Sequence, residues 1–540
     1  KIGLLILLCT VVCSVWGVPA RRGGIVKTQP DGTQITVYQH GDEHFRWITN
    51  EKGEWLEVDK NGFYQVTEAL SAEEIRVKQM AAPSRIAQAQ KAATPLNIAP
   101  RGLVILVNFA DVKFETNKAE LDSMLTGKNY SRDYSYMYGG RKYFVTSNGS
   151  AWQYFYESSN GQYSPQFDVV GPVTVSKNMD YYGKNVSDFD AAPWDMVKEA
   201  CELVNDSVDF SLYDNDKDGY VDFVYVVYAG YGEADGGAAN TIWPHSYWLF
   251  ESGVTCKVDG KYVDLYACGN ELDYYTKHHT GIGTFCHEFS HVLGLPDLYT
   301  TEGQTHKTLG SWDILDYGPY NNDMNTPPAY SAYERFMMGW LTPRLIVEAE
   351  DVELEELQES NSALLISSTD QHNLIGNDPK PTTFYLLENR QQVGWDEYLP
   401  GHGLMLTKIV YNQRSWSENI VNNSSNRMGV DLIEADGKTP SSSKDGYTGK
   451  ASDLFPAGAT EYLGIKDHSI EEVSENNGVI SFKYKGGRIN TATSEVVLNN
   501  DIIAIYDVLG QKMTTKKIEA LSEGTYIVKT TQGTKKIIIR

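Results

Sequence analysis

The stretch GTFCHEFSHVLGLPDLY, residues 283–299, restricts this chain more than any other part of it. His287 and His291 stand at i and i+4, so a helix carries both imidazoles on one face, one turn apart. That is the span between two neighbouring ligand positions on a tetrahedral zinc ion. Glu288 adjoins the first histidine and reaches a metal-bound water without itself ligating. Zinc lowers the pKa of such a water to about 7, where a glutamate takes its proton as general base. Gly294 follows where a helix ends by turning through a left-handed conformation. The chain then doubles back and brings Asp297 to the third-ligand position of the extended HExxHxxGxxH pattern. The expected third ligand is therefore a carboxylate. Its shorter side chain requires the backbone after Gly294 to approach the metal closely, and its charge makes the zinc a weaker Lewis acid. Should Asp297 not ligate, His245 and His306 are the next places to look. HExxH alone arises by chance in roughly one or two chains per hundred of this length, and with Gly and Asp in register in roughly one in ten thousand.

A second pattern is DNDKDGYVD, residues 214–222. Asp214, Asp216, Asp218, the carbonyl of Tyr220 and Asp222 follow the alternate-residue spacing of a calcium loop, with Gly219 at the sharp turn. Tyr225 stands where an EF-hand needs its bidentate glutamate, and a buried strand replaces the exiting helix, so this is no EF-hand. The cofactors expected are Zn2+ and Ca2+. A third feature, GSWDILDYGPYNN at 310–322, is expected to form a turn beneath the metal.

With 540 residues the chain is too long for one core and divides into two or three domains or more. A formal net charge of −24 argues against nucleic-acid binding, which needs clustered Lys and Arg. KIGLLILLCTVVCSVWGVPA reads as a secretory signal peptide, assigned to 1–19, because its apolar run falls short of the ~20 residues of a spanning helix. No other segment is apolar and long enough to span a bilayer. Residues 20–98 are expected to be a propeptide: a small β-rich unit with Asp-Gly, Lys-Gly and Asn-Gly turns, then an exposed, cleavable linker within 81–101. A permanent N-terminal domain is the other reading of that unit. It contains no cysteine, so occlusion of a metal would fall to a carboxylate, a histidine or steric cover, with Asp42, Glu43 and His44 the first candidates.

GLVILVNFAD and YVDFVYVVYAGYG are continuous apolar runs of the kind buried on both faces of a sheet, and PWDMVKEACELVN at 193–205 has helical spacing with Pro193 at its start. A parallel or mixed sheet flanked by helices is expected over 99–345, a β-rich domain over 346–487 packed on it, and a meander of short strands over 488–540. Cys201, Cys256, Cys268 and Cys286 lie outside the signal; in an exported protein they are free to pair, with three connectivities open.

At this point the chain resembles the immune-inhibitor-A-like secreted metalloproteases, the M6 peptidases. The matching pieces are GLVILVNFAD, the 214–237 loop and strand, IWPHS at 242–246, HEFSHVLGLPDLY, GSWDILDYG, YLLENRQQVGWDEYLPGHGL at 385–404 and VDLIEADG at 430–437. The resemblance covers roughly residues 100–460. It implies an α/β (α+β) metzincin-like zinc protease domain with a helix-borne HExxHxxGxxD, followed by β-sandwich domains. His287, His291 and Asp297 are implied as zinc ligands, Glu288 as base, and the 214–222 loop as a calcium site. Two departures stand out: Leu315 occupies the position of the methionine that the family places below the zinc, and Thr407 and Lys408 stand where the family shows an aromatic and a histidine. Tyr317, two residues after Leu315, matches the tyrosine that stabilises the oxyanion in some metzincins; simple packing is the alternative. IYDVLGQKM and LSEGTYIVK, near the C-terminus, are similar to type IX secretion sorting domains, which implies export through the periplasm and release or attachment at the outer surface.

The function expected is a secreted zinc endopeptidase made as a zymogen. It would act on protein or peptide substrates and meet the bacterial secretion machinery through its C-terminal domain. The alternative is a surface adhesin or binding protein on a metalloprotease scaffold that has lost turnover. A metal-dependent amidase or deacetylase would use similar ligands.

Overall fold

The computed structural model describes residues 17–43, 45–71, 74, 99–186, 189–301, 306–438 and 448–486, together with short stretches between 502 and 539. Residues 1–16 of the signal expected at 1–19, His44 and nearly all of the linker lie outside the described residues.

Strands Gly24–Thr28, Gln34–Gly41, Arg46–Thr49, Trp55–Val58 and Tyr64–Val66 form an antiparallel meander in chain order. Its turns fall where Gly32, Gly53 and Gly62 supply φ of +84°, +77° and +86°, which the Asp-Gly, Lys-Gly and Asn-Gly pairs foretell. So small a sheet buries little by itself. Its apolar face, Ile25, Val37 and Leu56, completes its core only by packing on Tyr274 and Tyr275 of the next unit. Arg46 adds buried ion pairs to Asp190 at 2.7 Å and Glu233 at 2.8 Å.

The central sheet has five strands in the order His245–Trp248, Leu265–Leu272, Val224–Tyr231, Arg101–Asn108 and Gln166–Thr174. All neighbours pair in parallel except His245–Trp248, which lies antiparallel along one edge. The two apolar runs become its middle strands and feed opposite faces alternately. Val104, Leu106, Tyr225 and Val227 enter one core, while Leu103, Ile105, Val107, Val224 and Val226 enter the other. This is why neither run alternates with polar residues. Helix Pro193–Val204, with proline in its first turn, buries Met196, Val197, Ala200, Cys201 and Val204 against the second face. Helix Gly283–Val292 lies in the first core.

Beyond residue 343, a five-stranded sheet (Arg344–Leu345, Leu364–Ser367, Thr383–Arg390, Gly403–Val410, Val430–Leu432) and a three-stranded one (Glu350–Leu354, Val479–Lys485, Ser469–Asn476) share one apolar cluster. Thr407 and Lys408 lie on the strand Gly403–Val410, paired on both sides. Arg390 ties this unit to the preceding one. Fully buried, it donates to Asp396 at 2.6 and 2.7 Å, to Glu388 at 3.1 Å and to the Ala329 carbonyl at 3.2 Å. Removing such a partner strands two buried carboxylates, a loss of about 3–5 kcal/mol. The last described strands, Ile502–Asp507, Gly524–Thr530 and Gly533–Ile539, form a three-stranded antiparallel meander.

Cys201, Cys256, Cys268 and Cys286 are buried free thiols, and Cys201 and Cys256 hydrogen-bond each other. Among the described residues no helix is long and apolar enough to cross a membrane.

Candidate metal centre

Helix Gly283–Val292 begins where the 319–324 loop crosses it so closely that a Cβ on Gly283 would stand 2.0 Å from the Pro319 carbonyl oxygen. Phe285 and Phe289 stack on each other at 6.1 Å and anchor the apolar face against Phe167 and Phe223. His287 and His291 are thereby turned to the opposite side. Gly294, at φ +91°, reverses the chain, with its N–H donating to the His291 carbonyl at 2.9 Å.

The imidazoles are oriented by the backbone. His287 Nδ1 lies 2.7 Å from the Ile314 carbonyl and His291 Nδ1 2.8 Å from the Leu295 carbonyl. Each Nδ1 therefore carries the proton, and each Nε2 presents a lone pair. These two Nε2 atoms are 3.1 Å apart, and Asp297 Oδ1 is 3.2 Å from one and 3.3 Å from the other. Three acceptors thus converge, fully buried, with no hydrogen-bond donor for Asp297 Oδ1. A cation resolves that conflict. For a tetrahedral zinc with arms of about 2.05 Å, neighbouring ligand atoms stand about 3.3 Å apart, so the donor set fits. Burial raises the Asp297 carboxyl, and positive charge at this cluster, on protonated histidines or on a metal ion in the proton's place, is what holds it below the usual carboxylate range.

The stretch 313–317 does lie beneath this cluster: the Ile314 carbonyl fixes His287, and the Leu315 carbonyl accepts from Leu298 N at 2.8 Å. His245 is instead engaged with the Trp243 carbonyl and the Tyr266 hydroxyl, and His306 with the Asn422 carbonyl. Neither joins the cluster.

Several further site residues escape sequence reasoning. Asn419 donates from Nδ2 to Asp297 Oδ2 at 2.6 Å and accepts from Asp297 N–H at 2.7 Å. Asn422 and Asn423 clamp the same loop at the Leu298 carbonyl and Thr301 N–H. The residues 17–22 lie in the cleft itself. Val18 N–H donates to Glu288 Oε1 at 3.1 Å, and the Tyr299 hydroxyl donates to the Gly17 carbonyl. One peptide bond, Gly17–Val18, is thus gripped at its N–H by Glu288 and at its C=O by Tyr299. Trp243 Nε1 and the Tyr320 hydroxyl hold the next two carbonyls, at 2.9 and 2.6 Å. Residues 17–19, expected to belong to the signal, are therefore seated together with residues 20–22 against these side chains. The Tyr317 ring carries the Arg22 guanidinium, 3.4 Å from the centroid. Asp42 and Glu43 are buried beside the segment, and a Cβ on Gly17 would meet Glu43 Oε2 at 2.9 Å. Burial, then Asp297 and Glu43, push the Glu288 carboxyl well above the ordinary range.

In the 214–222 loop, Asp214, Asp216 and Asp218 bring carboxylate oxygens within 4.8 Å of one another. Asp222 is not part of this group. Its Oδ2 accepts from Asn215 N and Nδ2 at 2.6 and 2.9 Å, because the turn at Gly219 feeds it into the strand start at Tyr220–Val221. Lys261 Nζ sits 2.6 Å from Asp214 Oδ2.

Residues 96–341 match the catalytic domain of immune inhibitor A peptidases, family M6. The match contains His287, His291 and Asp297, together with Glu288 and Tyr299. Immune inhibitor A of Bacillus thuringiensis subsp. alesti is 28% identical over 262 residues, 42% of this chain and 38% of that protein. The pre-pro-metalloprotease PrtV of Vibrio cholerae serotype O1 (strain M66-2) is 26% identical over 291 residues, 47% of this chain and 31% of the relative. The chain spans between 31% and 38% of the length of these curated relatives. The M6 match stops short of Asn419 and of the N-terminal meander.

Proposed function

We propose that this chain is a secreted zinc endopeptidase of the M6 type, made as a zymogen whose N-terminal unit, described over residues 17–71, covers its own active site. The observation that carries this reading is the Gly17–Val18 peptide, held between Glu288 and Tyr299 beside the two-histidine, one-aspartate cluster. His287, His291 and Asp297 would hold the zinc ion, which supplies Lewis acidity and a water that ionises near neutral pH. Glu288 is placed to take a proton from water and deliver it to an amide nitrogen, since an N–H of the chain already sits 3.1 Å from its Oε1. Water oxygen bonds to the carbonyl carbon, the C–N bond breaks, and the proton completes the leaving amine. Tyr299 donates to the carbonyl oxygen as it gains negative charge. The N-terminal meander keeps substrates out by filling the cleft, fastened by Arg21, Arg46 and its packing on Tyr274 and Tyr275. The name of one relative, a pre-pro-metalloprotease, supports both readings, and the M6 peptidase match supports the activity.

The test is casein hydrolysis by the full chain and by the chain cleaved within 75–98, each with and without a chelator. Chelator-sensitive activity that appears on cleavage is expected. Equal activity of demonstrably uncut and cut protein would end the zymogen reading, and activity indifferent to chelator would end the zinc reading.

The Asp214, Asp216 and Asp218 group is proposed to bind calcium, with Lys261 moving off Asp214. Calcium should then raise the melting temperature of wild type more than that of Asp216→Ala. An equal response places the effect elsewhere. Export by a type IX route and attachment at the outer surface are proposed from the C-terminal resemblance alone. Loss of extracellular protein on deleting residues 488–540 is the expected result, and unchanged export would refute it.

A further inference from the structure

Three residues beyond Val18, the side chain of Arg21 enters a pocket built wholly from the M6 catalytic region. Its Nη1 lies 2.8 Å from Asp273 Oδ2 and its Nη2 2.6 Å from Asp323 Oδ1, while its guanidinium carbon stands 4.2 Å from the Tyr275 ring centroid. Its backbone N–H donates to the Ala234 carbonyl at 2.8 Å. The pocket is pre-formed. Asp273 Oδ1 is pinned by Tyr275 N–H at 2.6 Å and Thr276 N–H at 3.1 Å, and Asp323 Oδ2 by the Tyr136 hydroxyl at 2.7 Å. Asp323 projects from a run of three left-handed residues, Asn322 to Met324. A third carboxylate, Asp235, lies close behind, 3% exposed, with its Oδ1 lacking any hydrogen-bond partner. Among the described residues Asp273 and Asp323 ion-pair with no cation except Arg21. Lys277, the nearby lysine of the same region, has its ammonium over the rings of Tyr274 and Tyr231.

When residues 17–71 leave, these walls lose the one cation that ion-pairs with them among the described residues, and only the Lys277 ammonium, which makes no ion pair with them, still bears on Asp273 and Asp235. Buried carboxylates without a partner are costly, so the vacated pocket favours any ligand that returns a cation to it. The shape selects among cations. Two carboxylates on separate loops and one aromatic face suit a planar, forked guanidinium better than a compact ammonium. The register follows from the cleft: Val18 supplies the N–H at Glu288, so it stands where the leaving residue of a substrate would stand, and Arg21 lies three residues further along the chain.

We propose that the Asp273–Asp323–Tyr275 pocket is a specificity site for substrates, selecting an arginine three residues C-terminal to the leaving residue. The proposal rests on the peptidase reading given above and adds the class of substrate: peptides basic on the leaving-group side.

The experiment uses the full chain carrying Glu288→Gln and a specific protease site within residues 85–90, nicked there so that the 17–71 unit can exchange. A labelled peptide copying residues 15–23 is compared with versions having Lys or Leu in place of Arg21, by fluorescence anisotropy. The Arg peptide should bind at least about tenfold more tightly than the Leu peptide, with Lys between them. The preference should shrink in Asp273→Asn and in Asp323→Asn, the second chosen because asparagine tolerates the left-handed backbone. Equal binding of Arg and Leu peptides, or binding of neither, overturns the pocket. Casein hydrolysis by the nicked chain with Glu288 intact reports separately on the peptidase. A casein-cleaving chain with no Arg preference sinks the pocket alone, and an Arg-selective chain without hydrolysis sinks only the peptidase.

Discussion

Asn419 is the residue through which the β-rich unit reaches the candidate metal ligands, and removing its side chain isolates that influence. It is buried and makes two hydrogen bonds to one residue, Asp297: a donor to the carboxylate at 2.6 Å and an acceptor for the amide at 2.7 Å. Its backbone is left-handed, φ +52°, so alanine would add strain of about 1–2 kcal/mol unrelated to the contact. Glycine removes the contact without that strain. Partners of this kind fix the geometry of a metal-bound carboxylate, and their loss typically weakens metal binding about 10–100-fold. Asn419→Gly should therefore weaken zinc by that factor. It should also lower apo-protein stability by about 1–3 kcal/mol, because the Asp297 N–H is left buried without an acceptor. Asn419→Asp is harsher, since it sets a second carboxylate against Asp297 Oδ2 in place of a donor. The assay is competition against a chromophoric zinc chelator, with the melting temperature of the metal-free protein measured in parallel. A melting temperature that falls while the zinc Kd stays at the wild-type value would refute the coupling. Asn419 would then be only a brace for the loop.

Two shorter tests address other parts of the site. Tyr299→Phe should retain zinc and lose about 10²–10³ in kcat on peptide substrates, the usual cost of one donor to a developing oxyanion; a larger loss in Tyr317→Phe would move that role to Tyr317. Burial, reinforced by Asp273, raises Asp235 from 3.8 to about 8. The folded chain then keeps a proton that the unfolded chain releases above about pH 4, so stability falls as pH rises from about 4 to 8. Asp235→Asn should remove that fall, its melting-temperature advantage growing across the window. An advantage that stays constant with pH would contradict the assignment.

What the sequence disclosed was mostly local. The i, i+4 histidines, the left-handed Gly294 and the return of Asp297 are set by helix geometry within eleven residues, and they met as expected. The Gly-bearing turns of the N-terminal meander and the doubly buried strands at 101–108 and 224–231 were equally legible, because glycine placement and unbroken apolar runs leave direct marks. The missed residues act at long range. Asn419 meets Asp297 across 122 positions, and Val18 meets Glu288 across 270. Polar contacts between loops have no periodicity to betray them. The run NIVNN at 419–423 was the one available hint, since clustered asparagines in an apolar setting usually satisfy backbone groups. Tyr299 carries no mark in the sequence that distinguishes it from other tyrosines before the loops are folded. Spacing alone groups Asp222 with the calcium set, and it cannot show that Asp222 Oδ2 accepts from Asn215.

The central claim is that Glu288 performs the proton transfers beside a zinc it does not ligate. The most direct measurement is zinc content and casein turnover for the processed wild type and for Glu288→Ala, in one preparation each. The account predicts about one zinc per chain in both proteins, with turnover confined to the wild type. A Glu288→Ala protein that still hydrolyses casein, or one that has lost its zinc, would contradict it.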